Sequence, residues 1–139
     1  MKAGPPGPAE QLSYCFGPYA LVPVRQLLLF KNSPVRLGGR ALDILAVLVQ
    51  RPGELVSKRD LLEMVWPDTV VEEGNLKVHI TGLRRVLGEG PDAPQYIATV
   101  VGRGYRFVGA VQTKAFSADL QAALNLGPRS FAILKTFKI

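Results

Sequence analysis

Between Tyr14 and Leu37 the apolar residues come in short bursts: Tyr14 to Phe16, Tyr19 to Val22, Gln26 to Phe30 and Pro34 to Leu37. Turn formers separate them, namely Gly17-Pro18, Pro23 to Arg25 and Lys31-Asn32-Ser33. Runs of that length with those boundaries predict an antiparallel meander of four strands. The period then changes. From Ala41 to Gln50, Leu42, Leu45, Ala46 and Val49 fall on one helical face, while Ile44, Val47 and Leu48 cover the other. A helix apolar nearly all round is a central core helix. Pro52-Gly53 ends it, and Ser57-Lys58-Arg59-Asp60 supplies an N-cap with an acid three residues on, a variant of the capping box. A second helix is therefore expected from about Ser57 to Trp66, stopped by Pro67, with Trp66 as a core anchor. Thr69-Val70-Val71-Glu72 offers another box, so a third helix begins anywhere between Val70 and Asn75 and runs to about Gly88.

In that third helix Leu76, Ile80, Leu83 and Leu87 share one narrow arc, the stripe of a helix packed on a core. Val78, Thr81, Gly82 and Arg85 point the opposite way. His79 and Val86 flank the stripe on one side, Lys77 and Arg84 on the other, so the outward surface is cationic rather than mixed in sign. Next come two segments with strand character, Tyr96 to Val101, rich in β-branched residues, and Tyr105 to Val108, alternating aromatic with non-aromatic. Gly102-Arg103-Gly104 lies between them. Glycines on both sides of one arginine allow the positive φ of a short hairpin loop with Arg103 at its tip and Arg106 just beyond.

A formal charge of +6 and a pI near 9.8 favour an anionic partner. The placement of that charge, on one helix face and one hairpin tip, selects nucleic acid over a membrane surface, since a basic helix followed by a basic hairpin suits a major groove and the adjoining backbone or minor groove. With a single cysteine, Cys15, no intrachain disulfide can form and a cysteine-rich zinc site is excluded. The single histidine, His79, cannot build a metal site by itself. Neither glycine pair, Gly88-Glu89-Gly90 or Gly102-Arg103-Gly104, leads into a phosphate loop, and the carboxylates show no pairing for acid/base work. A Cys15–His79 nucleophile pair lacks a third residue. No enzyme and no cofactor are expected. The start, MKAGPPGPAEQ, has no apolar signal core, and no apolar run is long enough to span a membrane.

Three stretches carry a family resemblance: LVSKRDLLEMVWP, VHITGLRRVLGE and IATVVGRGYRFVG. In that order and separation they resemble the winged-helix DNA-binding domain of the OmpR/PhoB type, the output domain of many bacterial response regulators, over about Tyr14 to Val111. The resemblance implies an α+β winged helix-turn-helix: an N-terminal antiparallel four-stranded sheet, three helices and a C-terminal hairpin wing. It implies a recognition helix, about 70–88, in the major groove of double-stranded DNA, and a wing, 96–108, on the backbone or minor groove. By it Asn75, Val78, Thr81 and Gly82 face bases, His79 and Arg84 lie near phosphates, and the wing offers Arg103 and Arg106. Lys77 joins the phosphate set from its place beside the stripe. Relatives often carry a long basic side chain where this helix has Gly82, which shifts specificity toward Arg85, Asn75 and DNA shape.

The resemblance also implies regulation of transcription in the bacterial cytoplasm, at the nucleoid, a homodimer on DNA, and RNA polymerase contacts from the loop carrying Asp68, Glu72 and Glu73. Phosphorelay control enters only as a family association, since the residues of this sequence are not expected to include a receiver domain and no phosphoacceptor aspartate can be named among them. The rival reading is a protein-interaction module of the same fold that binds polymerase or another regulator. The expected organisation is a disordered lead at 1–11, the winged-helix domain at 12–111 and a tail at 112–139, in which Ser117 caps a short helix from Ala118 to Asn125.

Overall fold

The computed structural model describes residues 10–89 and 95–117. They fall into two compact units, one formed by the described residues up to Arg36 with those from Val111 on, the other by Leu37–Ala110.

In the first unit, strands β1 (Glu10–Phe16), β2 (Tyr19–Val22), β3 (Leu27–Phe30) and β4 (Ser33–Val35) form the expected meander. Its turns follow from local chemistry. Gly17 takes φ +55 ahead of Pro18, and Lys31 and Asn32 both take positive φ between the paired Phe30 and Ser33. Two consecutive positive φ values are the two-residue hairpin geometry that matches strand twist. Pro23 to Arg25 makes one 3-10 turn closed by Gln26 at φ 49. Phe16, Leu21, Val22, Leu28 and Leu29 are fully buried.

A fifth strand completes this sheet. β8 (Gln112–Ser117) pairs antiparallel with β1 from Glu10↔Ser117 to Cys15↔Gln112, giving the order β4-β3-β2-β1-β8. Two boundaries drawn from the sequence therefore move: Glu10 and Gln11 are in a strand rather than a lead, and the first six residues of the tail are sheet, with Ser117 in β8. The composition change after Val111 concealed this, because QTKAFS has little apolar alternation and finds its partner about a hundred residues away. The expected helix at Ala118 to Asn125 lies outside the described residues.

The second unit is built on α1 (Gly39–Val49), whose Leu42, Ile44, Leu45 and Leu48 are all buried, as expected of an all-apolar helix. Gly53, at φ +80, turns the chain after it and donates its N–H to Phe107 O at 2.8 Å. α2 (Lys58–Val65) starts at the expected cap, Ser57 Oγ accepting from Asp60 N at 3.0 Å. α3 (Glu73–Val86) packs on α1 and α2 through Leu76, Ile80 and Leu83, with Leu87 buried just past its end. Thr69 does not cap it. The N-cap is Glu72, whose side chain makes no cap bond, so the box at Thr69 lies within the connection and β-branched Val70 and Val71 stay out of the helix.

β6 (Ile97–Val100) and β7 (Gly104–Phe107) form the expected hairpin, but β7 is central to a three-stranded sheet. β5 (Leu55–Ser57) pairs on its other side, Leu55↔Arg106 to Ser57↔Gly104. Three residues before a helix cap are too few to register as a strand by periodicity.

Candidate nucleic-acid interface

The burial of one stripe of α3 fixes what the opposite side offers. Asn75, Lys77, Val78, Thr81 and Arg85 are exposed, Val78 at 67% although it is apolar. Gly82 is half-buried, with nothing within 4 Å of where a Cβ would sit. The side chain missing there leaves open space on the helix surface rather than relieving a clash.

At the wing, Arg103 N donates to Val100 O at 2.9 Å, closing a tight turn in which Gly102 takes φ +76. Arg103 O in turn accepts from Lys58 N at 3.2 Å, tying the tip's backbone to the first residue of α2. The Arg103 side chain is exposed beside Val101, itself 89% exposed. Arg106 is exposed on β7 between buried Tyr105 and Phe107, on the outer face of the sheet. Gly104 serves a purpose other than the positive φ expected of it: a Cβ there would meet the β5 backbone, the Val56 carbonyl oxygen first and Ser57 Cα at 2.8 Å. Gly is required by the close approach of a strand the sequence did not reveal.

Charge pairing divides the cations of this unit. Arg40 faces Asp43, Lys58 faces Glu73, Arg59 faces Glu63 and Arg84 faces Glu89, all within 4.0 Å. Among the described residues of this unit Arg51, Lys77, Arg85, Arg103 and Arg106 have no side-chain hydrogen bond or ion pair. Arg51 follows α1, and the other four stand on the outward side of α3 and on the wing.

Arg84 departs from the expectation of a cation aimed at a groove wall. Its Nη2 donates to Ile97 O at 2.9 Å and to Thr99 Oγ1 at 2.8 Å, and its Nε lies 3.6 Å from Glu89 Oε1. The long side chain reaches sideways along α3 to β6, a target that a helical wheel does not contain. Glu89, read from the sequence only as part of a turn, is the partner that the wheel leaves out for the same reason.

His79 is half-buried and its ring lies 5.5 Å from that of Trp66, tilted by 40°. Arg40 stands over the same indole at 5.9 Å and donates to Val65 O at 2.8 Å. Trp66 is half-buried, a bracket between α1 and α3 rather than a fully enclosed anchor. It also borders an open groove with Leu62, Glu63, Pro67, Val70 and Val71. In the connection from Trp66 to Glu72, Asp68 and Glu72 are exposed and Val70 is 100% exposed, whereas Glu73 is held by Lys58 at 3.5 Å. Cys15 is a half-buried free thiol on β1 of the other unit. Among the described residues no group of His, Cys, Asp and Glu is arranged to hold a metal ion, and no helix is long and apolar enough to cross a membrane.

Comparison with known proteins agrees with this geometry. The family profile described as "Transcriptional regulatory protein, C terminal" matches residues 32–107. The cholera toxin transcriptional activator of Vibrio cholerae is 38% identical over 81 residues, 57% of this chain and 28% of that protein. The chain spans well under half the length of the curated relatives it matches. Among solved structures, the DNA-binding domain of Escherichia coli CadC superposes with a TM-score of 0.66 at 30% identity, covering 75% of this chain and 98% of that one. The DNA-binding domain of E. coli CpxR gives 0.63 at 29% identity, covering 70% and 97%. A family match over more than half the chain, joined to three helices and a wing in the same arrangement, places this protein in the OmpR/PhoB-type winged-helix family of transcriptional regulatory proteins.

Proposed function

We propose that this chain binds double-stranded DNA in a sequence-dependent way and regulates transcription, with α3 in the major groove and the β6–β7 wing against the backbone or adjacent minor groove. The observation that carries the reading is where the unpaired cations cluster: Arg40, Lys58, Arg59 and Arg84 have carboxylate partners, while of the five cations of this unit without one, Lys77, Arg85, Arg103 and Arg106 gather on α3 and the wing and only Arg51 lies elsewhere. Unpaired cations on one helix face and one wing suit phosphate and the electronegative edges of bases. Asn75, Val78, Thr81, Gly82 and Arg85 are the reading surface. Val78 suits a thymine methyl, and Gly82 admits a base edge close to the helix backbone. Lys77, Arg103 and Arg106 hold the backbone, and His79, braced on Trp66, sits at the helix flank.

A second reading rests on the α2–α3 connection. Fully exposed Val70, between Asp68 and Glu72, offers an apolar residue with acidic neighbours, a surface suited to a basic protein partner such as RNA polymerase. A DNA target places the work at the nucleoid, in the cytoplasm.

Selection of bound sites from random duplexes, followed by anisotropy titration across a salt series, tests the main reading. Three phosphate-neutralising side chains, Lys77, Arg103 and Arg106, give a log–log slope of about −3. A slope near zero, tighter binding to single strands, or selection that enriches no sequence overturns it.

A further inference from the structure

We infer that Glu89 is a positioning residue, which with Arg84 locks the start of β6 to the end of α3 and so sets where the wing tip stands relative to the reading face of the helix. The inference rests on the duplex-binding reading for its consequence, but not for its geometry.

The lock is built from the chain's local rules. α3 ends in a Schellman motif: Gly88 at φ +70 donates to Arg85 O at 3.1 Å, and Glu89 N donates to Arg84 O at 3.1 Å. A left-handed residue there folds the chain back on the last turn, which returns the Glu89 side chain to the side of Arg84. The carboxylate then works with both oxygens. Oε2 accepts from Tyr96 N at 3.0 Å and Ile97 N at 3.1 Å, and Oε1 faces Arg84 Nε at 3.6 Å. Arg84 closes the circuit through Ile97 O and Thr99 Oγ1. Ile97 is thereby held by its N–H and its carbonyl from the same helix end.

Burial distinguishes this from an ordinary surface pair. The Glu89 side chain is 8% exposed and that of Arg84 30%, against 86% and 65% for Arg59–Glu63. A carboxylate taken out of water needs charge and hydrogen-bond partners, and here it has two backbone donors and a guanidinium. Such an arrangement is specific in angle, because the two N–H groups and the planar fork each accept one orientation. β6 leads through the Val100–Arg103 turn to Arg103, so a rotation at Ile97 is carried to the tip.

The sign of the effect separates positioning from simple electrostatics. Removing a negative charge near a cationic DNA-binding surface raises affinity by Coulomb attraction alone. Positioning requires the reverse. The test uses the full chain with Glu89→Gln, which keeps the shape but loses the charge. In the free protein, residual dipolar couplings should report a changed orientation of β6–β7 relative to α3, and the Tyr96 and Ile97 amides should exchange faster. On the selected duplex, affinity should fall about fivefold to tenfold, and Arg103→Ala should cost markedly less in the Glu89→Gln background than in wild type, the non-additivity of coupled sites. Thr99→Val, isosteric and removing one Arg84 acceptor, should move both measurements in the same direction by less, and it serves if Glu89→Gln melts the domain.

Unchanged couplings in both variants, an affinity that rises, or strict additivity with Arg103→Ala overturns the lock. If wild type itself fails to bind duplex, the functional reading falls, while the couplings and amide exchange still decide the geometric claim.

Discussion

Gly102 and Gly104 frame the same arginine, yet different forces require them. Gly102 has φ +76 with open space around it, whereas Gly104 has no positive φ and lies against the Val56–Ser57 backbone. The sequence made both glycines legible as turn formers, and for Gly102 that is right. The reason for Gly104 was hidden because it belongs to β5, a strand too short for its own periodicity. Gly104→Ala should therefore push β7 from β5 and destabilise the domain by about 2 kcal/mol or more, an overpacking cost against backbone that cannot change rotamer. A thermal melt checks it; a shift as small as that of a surface substitution would show that β5 yields easily. Arg103→Ala, one residue earlier, is the counterpart. Its side chain is exposed and unpaired, so stability should stay within about 0.5 kcal/mol while affinity for all duplexes drops. A large melting shift there would instead mark the tip as structural.

At the scale of the element, α3 was the best read part of the chain and also the most instructive error. Its buried stripe, Leu76, Ile80, Leu83 and Leu87, is where the 3.6-residue period puts it, because burial along a helix is a matter of angle alone. Its start was not legible: the Thr69 box allowed a beginning anywhere from Val70 to Asn75, and the structure uses backbone geometry at Glu72 with no side-chain cap. The flank residues also could not be assigned from angle, since Lys77 stays in solvent while Arg84, placed beside it on the wheel, reaches β6. This sharpens a prediction about readers and holders. Arg85→Ala should lose about 1 to 3 kcal/mol on the preferred site and much less on scrambled duplex, flattening preference at one or two base pairs. Lys77→Ala should weaken every duplex by a similar factor and make the salt slope shallower by about one. Titration of both variants on both duplexes at one salt concentration decides it. If Lys77→Ala relaxes specificity and Arg85→Ala does not, the helix lies rotated in the groove relative to the assignment here.

For the whole molecule, the division into two units separates what reads from what was hardest to read. Every residue proposed to touch DNA lies within Leu37–Ala110, whereas β8 belongs to the other unit and pairs with β1. That pairing was invisible in the sequence because neither strand specifies the other locally: a ladder between Glu10–Cys15 and Gln112–Ser117 is a long-range choice, and an edge strand needs little apolar character. Its energetic role follows from the ladder and from the buried Ser13 hydroxyl, which donates to Lys114 O at 3.1 Å. Successive N–H groups of a strand point to opposite edges, so prolines at both Lys114 and Ala115 must remove at least one donor aimed at β1. The double substitution should lower stability by on the order of 2 kcal/mol, through the lost ladder bond and the displaced partner of Ser13. The folded fraction should nevertheless select the same sequences from random duplexes as wild type, because no reader has moved to a different strand or helix. Melting and site selection on the one variant are the measurements. An unchanged melting curve would mean that β8 contributes nothing to the sheet, and an altered preferred site would show that the first unit takes part in reading DNA.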